Sequence, residues 1–206
     1  MHIFKKSTRN VGKLYYNRKW IMRKIKWGEC IMQHGQLDIH PNTIALIPCQ
    51  EGGEKGTKIL EVDRERFVPE LPLNIVKKSC KYFGSDYEGR KNATKSLIHV
   101  RHKPPILVDP HTATILFPTK SPSQPDCIWL ISGHIKNHTP EGKKTEVVFS
   151  NNQSLVLPIS YGSFINQYHK AAALQVAYEI NIRRSRMQFL KQLGYRAMED
   201  SGLYWI

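Results

Sequence analysis

The 206-residue chain has no CxxC pair and no apolar run near the roughly 18 residues that a membrane span needs. Its four cysteines, Cys30, Cys49, Cys80 and Cys127, lie far apart. In a chain this long they do not read as a disulfide framework, which points to a reducing cytoplasm and to thiols used as small buried hydrophobes. The basic N-terminus never opens into an apolar stretch of the secretory type, so no leader is expected. D-x-D, HExxH and GxSxG are absent, and EGGEKG at 51–56 lacks the lysine–serine ending of a phosphate loop. The chain shows no internal repeat and no low-complexity tract.

What it does have is positive charge. Lys and Arg number 31 against 17 Asp and Glu, a net +14. Such a balance calls for a polyanionic partner, nucleic acid first and an acidic membrane surface second. The 40% apolar and 10% aromatic content is ample for a core. The charge is unevenly spread. Residues 1–28 hold nine cations and no acid, whereas 29–76 hold four cations and eight acids. Residues 77–103 then hold eight cations and two acids, and 104–162 balance. The first basic block mixes Tyr15, Tyr16, Trp20 and Trp27 with cations but shows no sustained helical period. It reads either as an arm for phosphates or a membrane surface or as an extension with little fixed structure, and no function rests on it.

From position 43 onward the pattern is one of short strands. Expected strands are 43–48, 58–68, 97–101, 106–108, 114–117, 128–135, 145–150 and 154–158. EGGEKG is a hairpin loop and Asn151-Asn152 a tight turn. Two helical regions interrupt them. Over 72–83, Pro72 suits the first helical position and Gly84 the residue beyond the end. Leu73, Val76, Cys80 and Phe83 share a stripe, with Lys77, Lys78 and Lys81 opposite. Ser85 and Glu88 have capping-box spacing, opening a second short helix that Gly89 weakens. The second region, 163–193, places Ile165, Tyr168, Ala172, Val176 and Ile180 on one face, followed by Arg183, Arg184 and Arg186, which share none. The expected fold is α+β: short antiparallel strands with a basic helical unit near 72–95 and a long C-terminal helix. The expected organisation is an N-terminal extension at 1–32, a DNA-binding domain at 33–195 and a tail at 196–206.

The strongest chemical signal is residues 79–103, where Lys81, Arg90, Lys91, Lys95, Arg101 and Lys103 surround Tyr82, Phe83 and Tyr87. Cations neutralise phosphates and release counterions, while helix ends and small loop residues let the backbone approach. About six such contacts to duplex DNA would give a log K against log salt slope near −5. The alternative is a solvated basic surface. A zinc site from His99, His102, His134 and His138 with Cys80 or Cys127 lacks a CxxC companion. Asp86, Glu88 and Asp109 with Lys103 faintly resemble a metal-dependent nuclease set, but Asp109 before Pro110 is better read as a turn former. No catalytic residue, metal ligand or cofactor is assigned. The rival readings are a metal-dependent nucleic-acid-processing enzyme and a general RNA- or membrane-surface-binding protein that uses the basic arm.

SCKYFGSDYEGRK at 79–91, HKPPILVDP at 102–110, FPT at 117–119, Cys127-Ile-Trp, TEVVFSN at 145–151 and LPISYGSFINQ at 157–167 occur in unbroken order. Together, over about 44–167, they resemble the ComK family of bacterial competence transcription factors. The resemblance implies a cytoplasmic activator of DNA-uptake genes, without cofactor or enzymatic activity. It would bind paired A/T-rich boxes as a pair of dimers, largely from the minor groove, and help RNA polymerase engage. On that expectation Arg90 and Lys91 enter the groove, while Lys77, Lys78, Lys81, Lys95, Arg101 and Lys103 contact phosphates. The first 30 or so residues exceed what members carry ahead of the first strand, and the likeness ends after Gln167. DNA binding is thus better supported than activation or adaptor-controlled degradation.

Overall fold

A computed structural model describes residues 38–192, all within the unit Leu37–Ile206. The basic arm and the 196–206 tail lie outside the described residues. Among the described residues, nine short strands are accompanied by two short α-helices and one long one. β1 (Thr43–Glu51), β2 (Glu54–Glu61), β3 (Glu65–Val68), β4 (Ile106–Asp109), β5 (Thr114–Pro118) and β6 (Trp129–Ile131) make one antiparallel sheet in the order β3-β2-β1-β6-β5-β4. β7 (Ile135–Glu141), β8 (Lys144–Phe149) and β9 (Ser154–Leu157) make a second antiparallel sheet. The helices are α1 (Pro72–Tyr82), α2 (Tyr87–Ile98) and α3 (Tyr161–Gln192). The α+β architecture is the expected one.

Both faces of the larger sheet are covered, which is why its strands read as continuous apolar runs rather than alternating ones. Ile59, Ile106, Val108, Leu116, Trp129 and Ile131 pack with Ile75, Val76 and Cys80 of α1 and Tyr87 of α2. Their strand neighbours Leu60, Leu107, Ile115, Phe117 and Leu130 pack with Val147, Phe149 and Leu157 of the smaller sheet and with Phe164, Ala171 and Leu174 of α3. The sheet therefore sets α1 and the first turn of α2 on one side and α3 on the other, while the C-terminal end of α2 reaches the α3 side.

Several expected boundaries change, each for a local reason. The β1–β2 loop is only Gly52-Gly53, both left-handed, and EGGEKG is otherwise strand. The run 58–68 is broken by a tight turn in which the Glu61 N–H donates to the Arg64 carbonyl at 2.9 Å. Burial pushes the Glu61 carboxyl up, but hydrogen bonds from Arg64, Arg66 and His40 outweigh it and hold its pKa at about 2. The run 128–135 is also two strands. A 3-10 turn at Ser132–His134 hands the chain from one sheet to the other. Residues 97–101 are not a strand: α2 continues through Ile98, whose side chain packs on the α3 core, and His99 ends the helix in the left-handed region at φ 53°.

The face of α3 is the clearest correction. Its buried residues are Phe164, Gln167, Ala171 and Leu174; of the expected stripe, Ile165 and Tyr168 pack half-buried at the edge of that core, Ala172 is exposed, and Val176 and Ile180 are 56% and 43% exposed. The helix carries two apolar stripes, and the rotation is chosen by aromatic packing. Phe164 lies against Phe117 with ring centroids 6.0 Å apart and stacks on Tyr168 at 5.8 Å. Arg183, Arg184 and Arg186 are exposed on the far half of this helix.

Candidate nucleic-acid interface

The basic unit starts with Pro72, buried at the first position of α1, where its missing N–H costs no hydrogen bond. Ile75, Val76, Ser79 and Cys80 face the sheet, so Lys77, Lys78 and Lys81 are turned outward. The helix stops at Gly84, left-handed at φ 71°. There the Gly84 N–H donates to the Lys81 carbonyl at 3.0 Å and the Ser85 N–H to the Cys80 carbonyl at 3.1 Å. This glycine-dependent cap fixes the exit angle toward α2. The cap of α2 is Asp86, one residue later than the expected Ser85. Its Oδ1 accepts the Gly89 N–H at 2.6 Å. Tyr87, edge-on to Trp129 with centroids 6.5 Å apart, anchors the first turn in the core. Burial pushes its phenol up to about 12 and the Cys80 thiol up to about 11, the nearby Arg90 charge opposing the latter.

The eight expected DNA contacts fall into two groups. In the first, two lysines are held by local carboxylates and an arginine is drawn into the protein. Lys78 pairs with Glu70 at 2.7 Å. Lys91 pairs with Glu88 at 2.9 Å and lies 5.8 Å from the centre of the Tyr87 ring. Arg90 is half-buried, and its Nε is sealed from solvent without a hydrogen-bond partner. In the second group no carboxylate intervenes. Lys77, Lys81, Lys95, Arg101 and Lys103 make no ion pair with any described residue.

Two of that second group meet in space. Lys95, in the last turn of α2, and the exposed Arg101 line a concavity of about 460 Å³ with His99 and Val100. Lys103 follows on the same loop, left-handed at φ 47° just before Pro104. From the other side of the sheet α3 brings a residue the sequence did not single out. Lys170 Nζ donates to the His102 carbonyl at 3.1 Å and to Gln167 Oε1 at 2.8 Å. No spacing signal marks Lys170, which stands beside the AAAL run and is separated from the 77–103 block by three strands and a second sheet.

The rival chemistries find no assembled centre among the described residues. Asp109 accepts the His111 N–H at 2.8 Å and the Thr112 hydroxyl at 2.6 Å, the turn role expected of it. Asp86 is the α2 cap and Glu88 is paired with Lys91. His134 Nε2 contacts the Pro41 carbonyl at 2.7 Å, and His138 is packed among the Tyr161, Phe164 and Tyr168 rings. Cys80 and Cys127 are buried and free, and no set of three His, Cys, Asp or Glu comes together with metal-binding spacing. No described helix is long and apolar enough to cross a membrane.

With this geometry in place, comparison with known proteins is informative. The family described as ComK protein matches residues 35–183. The match passes both ends of the 44–167 likeness and takes in most of α3. A competence transcription factor of Bacillus subtilis (strain 168) is 42% identical over 146 residues, covering 70% of this chain and 76% of that protein. No solved structure matches the chain.

Proposed function

The chain belongs to the ComK family, is a homologue of a competence transcription factor and is not an enzyme; from that premise we propose that it activates competence genes by binding paired A/T-rich promoter boxes in duplex DNA. The observation that carries this reading is the set of cations from Lys95 to Lys103 that the fold presents without carboxylate partners among the described residues. Charge left unneutralised on a folded surface is charge available to phosphates. Lys77, Lys78, Lys81, Lys95, Arg101 and Lys103 serve as phosphate contacts, Lys78 after release from Glu70. The DNA-binding body runs over 33–195, flanked by the extension and the tail, and works in the cytoplasm without a cofactor.

Arg90 and Lys91 take the minor groove. An exposed pair such as Lys91–Glu88 is worth at most about 1 kcal/mol, so exchanging it for a strongly negative groove is inexpensive. A/T-rich tracts narrow the groove and deepen its potential, which rewards that exchange more than ordinary duplex does. Selectivity then comes from the first turn of α2, and general affinity from the cations of α1 and of the stretch from Lys95 to Lys103. Copies of the chain associate as a dimer or pair of dimers, with the exposed half of α3 as a candidate face, and RNA polymerase is the further partner. The test is an electrophoretic comparison of A/T-box, scrambled and RNA probes at two salt concentrations. Preference for the A/T-box duplex, weakened by salt, is the expected result; equal binding of RNA overturns the reading.

A further inference from the structure

The loop 99–103 is held in an unfavourable shape by residues of α3. His99 and Lys103 are both left-handed, at φ 53° and 47°, and neither is glycine. Lys103 also precedes Pro104, a setting that already narrows its backbone. Conformations of this kind persist only where the surroundings over-determine them, and they gather at ligand sites. Here the determinant is Gln167, only 3% exposed. Its Nε2 donates to the Lys103 carbonyl at 3.0 Å and to the Pro118 carbonyl at 3.1 Å, clamping the loop to β5. Its Oε1 accepts from Lys170 Nζ, one helical turn on, and Lys170 reaches the His102 carbonyl as well.

The result is the Lys170 ammonium fastened, through one buried amide, beside the backbone that carries Lys103. Burial lowers the Lys170 pKa, and the Lys103 charge lowers it further, so the two cations feel each other. Every acceptor that meets Lys170 is neutral: a backbone carbonyl and an amide oxygen. Of its three N–H groups one is left over. Neither lysine is paired with a carboxylate among the described residues. A fold that only needed to fasten the loop to α3 could do so with a neutral side chain. Placing a second positive charge beside Lys103 is unfavourable until an anion arrives between them.

We infer that Lys170 and Lys103 together seat a single phosphodiester of bound duplex, with Gln167 as the positioning residue that fastens Lys170 to the backbone of the 102–103 loop. The inference rests on the DNA-binding reading and adds to it a contact from α3, on the far side of the sheet from α1. A phosphate seat carries no base information, so its contribution is uniform across sequences and visible in the salt dependence. One phosphate accounts for about 0.9 of the slope of log K against log salt.

The experiment uses the full chain and measures affinity for an A/T-box duplex and a scrambled duplex by fluorescence anisotropy over a series of KCl concentrations. Lys103→Gln with Lys170→Gln is expected to flatten the slope by about 0.9 in total and to weaken both duplexes by the same factor. Lys170→Arg keeps the slope, and Lys143→Gln in the β7–β8 turn leaves it unchanged. Flattening by about 1.8 in the double variant means two separate phosphates and overturns the shared seat. No flattening, or a loss confined to the A/T-box duplex, overturns it too. These outcomes are distinct from failure of the parent reading, in which the unsubstituted chain itself shows no salt-dependent duplex binding.

Discussion

The first turn of α2 and the loop that follows its last turn carry similar charge and treat it in opposite ways. At the first turn Glu88 sits three residues before Lys91 and pairs with it, and Arg90 is half-buried with its Nε sealed from solvent. In the last turn and beyond it, Lys95, Arg101 and Lys103 make no ion pair among the described residues, and α3 adds Lys170. The total over 77–103 does not distinguish the two. The difference is whether a neighbour of opposite sign is held close, because an occupied cation must give up one partner to gain another.

If the groove is read by the occupied turn and phosphates by the open loop, the two respond differently to charge reversal. Arg90→Glu with Lys91→Glu is expected to abolish shifts of A/T-box DNA while the circular-dichroism signal stays folded. Retained affinity there would remove the groove assignment. Arg101→Glu with Lys103→Glu should weaken A/T-box and scrambled duplexes alike, by about 100-fold at moderate salt, with a flatter salt slope. A loss restricted to the A/T-box duplex would exchange the roles of the two regions.

Smaller changes sharpen the contrast. Asp86→Ala removes the cap that orients the occupied turn and should cost about 1 kcal/mol in urea unfolding. Its effect on DNA binding should fall on the A/T-box duplex more than on the scrambled one. Glu88→Gln frees Lys91 and is expected to tighten A/T-box binding by up to about fivefold, the most an exposed pair of this type would withhold. No change would mean that Lys91 is already free in solution.

Much of this was legible beforehand where the determining interactions are local. Pro72 and Gly84 marked the limits of α1 because each suits a backbone position that few other residues fill. Asp109 announced its turn through side-chain reach of two to three residues. The run 97–101 misled because an apolar pair beside a histidine is compatible with a strand, and only the α3 core, by accepting Ile98, extends the helix. The α3 stripe misled for a related reason: two apolar faces have equal periodicity, and only Phe117 from a distant strand ranks them.

The order of residues by itself determined that this chain is basic, α+β and a carrier of ordered ComK-like segments, since composition, short-range periodicity and turn chemistry act between near neighbours. Tertiary structure alone decided which cations stay unneutralised, which face of α3 is buried, and that Lys170 stands beside Lys103. Those outcomes depend on Coulomb and packing interactions between residues dozens of positions apart, whose proximity no local pattern encodes.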